Sequence, residues 1–82
     1  MATANEVREY AFVAFIKPAR RRGESKTSFS SGNIHEGMGL INRFPLVCSA
    51  IDADKFLEYA SVALLSRDGP PQSSTAKWVF NL

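Results

Sequence analysis

Between Glu9 and Lys17 the chain reads EYAFVAFIK, and a period of two sorts it into Tyr10, Phe12, Ala14 and Ile16 on one side and Ala11, Val13 and Phe15 on the other. A run rich in aromatic and β-branched residues, free of Gly and Pro until Pro18, predicts a strand that Pro18 stops. Both sides are apolar, which predicts a strand covered on each face, one cover being a helix and the other a partner subunit or ligand. Lys26 to Ser31 (KTSFSS) predicts a second strand whose one large apolar residue is Phe29. Its Ser and Thr side chains suit an edge that faces water. The intervening Pro18-Ala19-Arg20-Arg21-Arg22-Gly23-Glu24 then reads as the exposed tip of a hairpin, and residues 1–8 as an N-terminal arm.

Further along, Ile34, Met38 and Ile41 fall at helical spacing, but Gly32, Gly37 and Gly39 weaken a helix by about 1 kcal/mol each relative to Ala. A short helix or helical turn is the expectation there. Leu46 to Ile51 (LVCSAI) predicts a short buried strand after Pro45. Asp52 to Ser66 predicts the long helix: Asp52 as N-cap, Asp54 in the first turn, Arg67 at the far end, and an apolar stripe of Ala53, Phe56, Leu57, Ala60, Ala63 and Leu64. Gly69 is placed to cap that helix and Pro70-Pro71 to prevent its continuation. Gln72 to Thr75 is a polar loop, and Ala76 to Leu82 a closing strand with Trp78, Phe80 and Leu82 on one face. The sum is an α+β fold in one domain, residues 1–82, with a three- to four-stranded, mostly antiparallel sheet and one long helix, about 52–66, packed on one face.

Composition limits what such a domain does. Hydrophobic residues make up 45% of the 82 positions and charged residues 22%, the balance of a folded chain and not of a disordered one. The longest nearly uncharged stretches, Tyr10 to Ile16 and Phe44 to Ile51, fall far short of the roughly 20 residues needed to cross a bilayer. The N-terminus has an acid, Glu6, where a secretion signal carries basic residues. A cytoplasmic location, without membrane contact, is the expectation. Cys48 is the only cysteine, which excludes an internal disulfide and suits a reducing compartment.

Catalysis needs converging reactive groups, and few are present. His35 and Cys48 are the only imidazole and thiol, one in a Gly-rich turn and one in an apolar run. They are too few for a zinc site, and Asp52 and Asp54 suit capping roles. Neither a cofactor nor a metal is expected. The Gly23-Glu24-Ser25-Lys26-Thr27 run departs from a phosphate-binding loop, with Ser25 where Gly should precede Lys26 and Arg20 where the loop's first Gly belongs.

The most informative polar feature is the cluster Lys17, Arg20, Arg21 and Arg22, with Lys26 close behind. Guanidinium groups on an exposed tip present planar donors to phosphate or carboxylate. Just before the cluster, Tyr10-Ala11-Phe12-Val13-Ala14-Phe15 is similar to the aromatic core of the RNP1 strand in the RNA-recognition motif family. In that family the pattern runs Lys/Arg-Gly-Phe/Tyr-Gly/Ala-Phe-Val-any-Phe/Tyr, and alternate rings stack on bases. The resemblance covers eight residues, with Arg8 at the basic position and Glu9 in place of glycine. It implies that Tyr10 and Phe12 are the stacking rings. No RNP2 strand accompanies it, and the family places this strand third, whereas only seven residues precede Arg8.

The expected function is that of a small non-enzymatic protein that docks on a protein or nucleoprotein complex. It would be of inhibitor or adaptor type, the size class of compact virus-encoded inhibitors of host complexes. The alternative is a binder of RNA or single-stranded DNA. For either, Lys17, Arg20, Arg21, Arg22, Lys26, Tyr10 and Phe12 are the candidate binding residues. A homodimer is compatible with both, because an open sheet edge can pair with its twin.

Overall fold

Thr3 starts the first helix by a reciprocal cap. Its hydroxyl accepts from the Glu6 N–H, and the Glu6 carboxylate accepts from the Thr3 N–H. In the computed structural model, which describes residues 2–82, helix α1 then runs over residues 4–21. It is α-helical over Ala4–Ala11, π-helical over Phe12–Ile16 and α-helical again over Lys17–Arg21. The strand expected over Glu9 to Lys17 is therefore helical, and residues 4–8 of the expected arm form its first turns, Met1 lying outside the described residues.

The reason lies in the spacing of the buried positions. Val7, Ala11, Ile16 and Ala19 are buried at steps of four, five and three residues. The step of five is the widened turn, in which the Lys17 N–H reaches back to the Phe12 carbonyl. One extra residue breaks the 3.6-residue period, so the run mimics alternation. Pro18 does not terminate the helix, because its missing N–H falls where the regular hydrogen-bond ladder is already displaced.

Strand β1, Lys26–Ser30, forms as expected and buries Phe29. Ser30 then caps helix α2, Ser31–Gly37, through a second reciprocal pair with Asn33, so the short helix in the glycine-rich middle is present. Helix α3, Phe44–Asp52, replaces the strand expected over Leu46 to Ile51. Pro45 sits in its first turn, where a missing N–H leaves no bond unmade. Val47, Cys48, Ala50 and Ile51 are buried as the apolar run requires, but on one side of a helix.

The long helix expected over 52–66 is also corrected. Helix α4 spans only Asp54–Ala60 and ends at Ser61, whose φ of 56° is left-handed. Asp52 is the last residue of α3 and not an N-cap, and Ala53, with extended backbone, separates the two helices. After Ser61 the chain turns into strand β2, Ala63–Asp68, so Ala63 and Leu64 leave the helical stripe that Phe56 and Ala60 keep. Gly69, at φ +89°, turns the chain toward β3; a Cβ there would lie 2.7 Å from the Thr75 carbonyl oxygen. Strand β3, Lys77–Asn81, closes the fold as expected.

The three strands form one antiparallel sheet in the order β1-β3-β2. The registers Phe29↔Trp78↔Arg67 and Thr27↔Phe80↔Leu64 define the side toward the helices. On that side Phe29, Trp78 and Phe80 pack with Val7, Ile16, Ile34 and Phe56 in the core. The α+β architecture with an antiparallel sheet holds, with four helices among the described residues, and its long helix is N-terminal.

Candidate functional site

The basic cluster lies at one end of the molecule, on the last turns of α1 and the turn after it, and not on a hairpin tip. Lys17, Arg20, Arg21, Arg22 and Lys26 are all exposed. Arg20 Nη2 donates to the Ser61 carbonyl at 2.8 Å, fastening the end of α1 to the turn between α4 and β2. Arg22 pairs with Glu24. Lys26 faces Asn81, which in turn faces Ala63, so the row across this end of the sheet runs from β1 to the start of β2.

From this basic end β2 leads away along the free edge of the sheet. All its residues except Arg67 are exposed. Leu64 and Leu65 are 44% and 55% exposed, and the register slips between Leu64 and Ser66, leaving Leu65 without a partner in β3. Although bulged at Leu65, an edge of this kind offers unpaired backbone groups and greasy side chains together. Sequence reasoning placed Leu64 in a core helix and missed Leu65, Ser61 and Asp68. The signal was Asp68-Gly69, a hairpin dipeptide, which reads equally as the end of a helix.

Asp52 and Arg67 hold this edge in place. Arg67 grips Asp52 with two parallel bonds, Nε to Oδ1 and Nη2 to Oδ2, both 3.1 Å. Trp78 Nε1 donates to Asp52 Oδ1 at 2.7 Å, and the Arg67 guanidinium lies 5.4 Å from the Trp78 ring centre. Burial alone would raise the Asp52 pKa, but the hydrogen bonds from Arg67 and Trp78 and the Arg67 charge outweigh it and hold the carboxyl below its usual value. The same hydrogen bond raises the Arg67 pKa. This clamp ties the end of α3 to both β2 and β3.

The remaining candidates face inward. Tyr10 packs edge-on against Phe15 and crowds Gly37, where any Cβ would strike its ring. Phe12 packs edge-on against Tyr59. Both rings are half-buried on a helix, so the strand platform implied by the RNP1 resemblance does not exist. The open face of the sheet carries Lys26, Ser28, Val79, Asn81 and Ser66, with no aromatic ring, since Phe29, Trp78 and Phe80 point the other way.

His35 stacks on Phe44, and its Nε2 accepts from the Arg43 N–H at 3.2 Å. Cys48 is buried and directs its thiol at the Ser73 carbonyl, 3.6 Å away. Among the described residues no three His, Cys, Asp or Glu side chains gather as a metal site, and no helix is long and apolar enough to cross a membrane. Comparison with family models, with curated proteins and with solved structures finds no match to this chain.

Proposed function

We propose that this protein is a non-enzymatic binding module, of adaptor or inhibitor type, that docks on a protein partner through the β2 edge with the arginine end as its polar rim. The observation that carries this reading is the juxtaposition at Ser61, where exposed Arg20 binds the turn that leads into a free strand with two exposed leucines. An incoming strand can complete the backbone pairing along β2 while its side chains cover Leu64 and Leu65. Carboxylates on the same partner would meet Arg20, Arg21 and Arg22 in the planar geometry guanidinium favours. These cations are exposed, so the contact should weaken as salt rises.

Single-stranded nucleic acid satisfies only half of this surface. Phosphates suit the arginines, but the bases would find only the half-exposed Tyr59 to stack on and nothing to gain from Leu64 and Leu65. The test is affinity capture from the native cells with and without nuclease. A partner that survives nuclease, and is lost from both a Leu64→Lys/Leu65→Lys variant and an Arg20→Glu/Arg21→Glu/Arg22→Glu variant, is the expected result. Partners that vanish on nuclease treatment, with oligonucleotide binding undiminished in the leucine variant, would replace this reading with the nucleic-acid one.

A further inference from the structure

We infer that the strand that adds to β2 is the β2 of a second copy of this chain, running antiparallel about a twofold axis between Leu64 and Leu65. This rests on the reading of β2 as the docking edge and names its occupant when the captured partner is absent.

The inference follows from how charge is laid out along the strand. Ser61, the left-handed residue two places before the strand, is bound by Arg20, and the strand's last residue, Asp68, is exposed and carries a carboxylate that makes no ion pair among the described residues. A twofold between Leu64 and Leu65 sets Leu64 of each copy opposite Leu65 of the other and Ala63 opposite Ser66, so that the twin's Asp68 runs past the start of the strand toward the turn at Ser61. The leucines then cover one another. Arg20 at the head of each strand comes beside Asp68 at the tail of its twin, and symmetry makes this contact twice. A parallel arrangement would set Arg20 against Arg20 and Asp68 against Asp68, repelling at both ends.

The other edge offers no such match. β1 presents Lys26, Ser28 and Ser30, with its single large apolar residue turned into the core. A cationic, hydroxylated edge repels its own copy and is easily satisfied by water. Pairing through β2 joins two three-stranded sheets into one of six strands. Lys17, Arg21, Arg22 and Lys26 remain outside the twofold contact, once per copy, for an acidic surface elsewhere.

Sedimentation equilibrium of the purified protein, over concentrations up to roughly 1 mM, tests this at the weak end of specific association. The expected result is a monomer–dimer equilibrium that Leu65→Lys abolishes. Asp68→Arg or Arg20→Asp alone, each breaking two symmetric pairs, should weaken the dimer about tenfold, and the double reversal should restore it. Circular dichroism and thermal unfolding of each variant separate lost pairing from lost folding. A wild-type protein that stays monomeric throughout, or a dimer indifferent to Leu65→Lys and to both reversals, overturns the inference. A monomer that still loses its captured partner on substitution of Leu64 and Leu65 sinks self-pairing alone and leaves the docking reading standing.

Discussion

The two free edges of the sheet are opposite in character. β1 alternates exposed Lys26 and Ser28 with buried Phe29, and its first and last residues lead directly into turns and caps. β2 keeps only Arg67 partly covered and leaves Leu64 and Leu65 in solvent. An exposed apolar edge invites aggregation, and folded proteins usually blunt it with charge, proline or a covering element. This chain places Lys26 on β1, whereas β2, bulged at Leu65, still exposes two leucines. The contrast assigns the two strands different work: β1 anchors the core and β2 meets a partner.

Substitutions sharpen that division. The largest effect belongs to β1. Phe29 stacks on Phe15 with ring centres 4.7 Å apart and also touches Phe56, Trp78 and Phe80. Phe29→Ala should cost about 3–5 kcal/mol, enough to unfold a domain of this size, as urea titration would record. A loss below ~1 kcal/mol would mean that the edge strand is peripheral to the core.

Next comes the clamp behind β2. Asp52→Ala strands the Trp78 indole N–H and frees Arg67, at about 1–3 kcal/mol in thermal or chemical unfolding. The pH dependence has a defined sign. The folded carboxyl titrates below the ordinary aspartate value of 3.8, so between the two values the unfolded chain binds more proton and stability climbs with pH. The contribution is complete above the ordinary value and disappears as pH falls through the folded one. Unfolding measured along an acid series should show this slope, reduced in Asp52→Asn.

The smallest effect on stability belongs to the exposed leucine. Leu65→Lys removes little buried contact and should shift unfolding by no more than about 0.5 kcal/mol while removing association. A large destabilisation would show that Leu65 serves the core and not an interface.

What could be read in the chain follows the same physical lines. β1 and β3 are short, bounded by turn residues and strongly alternating, with Phe29, Trp78 and Phe80 as inward positions; they stand where the pattern puts them. The segments around them were harder because two periods competed. In residues 9–17 the π turn inserts a residue between Ala11 and Ile16 and erases the helical period, leaving aromatic and β-branched content to argue for a strand. In residues 46–51 a six-residue apolar run has no period at all, and only Pro45, one position ahead, marks a helix start. In residues 61–68 the helical stripe of α4 runs on by coincidence into Ala63 and Leu64, while the break at Ser61 depends on a left-handed residue that is not glycine. The basic residues of the candidate site were legible as an exposed cluster. Their neighbour, the apolar edge, was hidden by that same misread stripe.

The most direct measurement is hydrogen exchange of the backbone amides on the two edge strands as protein concentration rises. Amides of β2 not bonded to β3 should gain protection with concentration while those on the outer side of β1 stay unchanged. Protection growing on β1 instead, or on neither strand, would contradict the assignment of β2 as the edge that pairs with its twin.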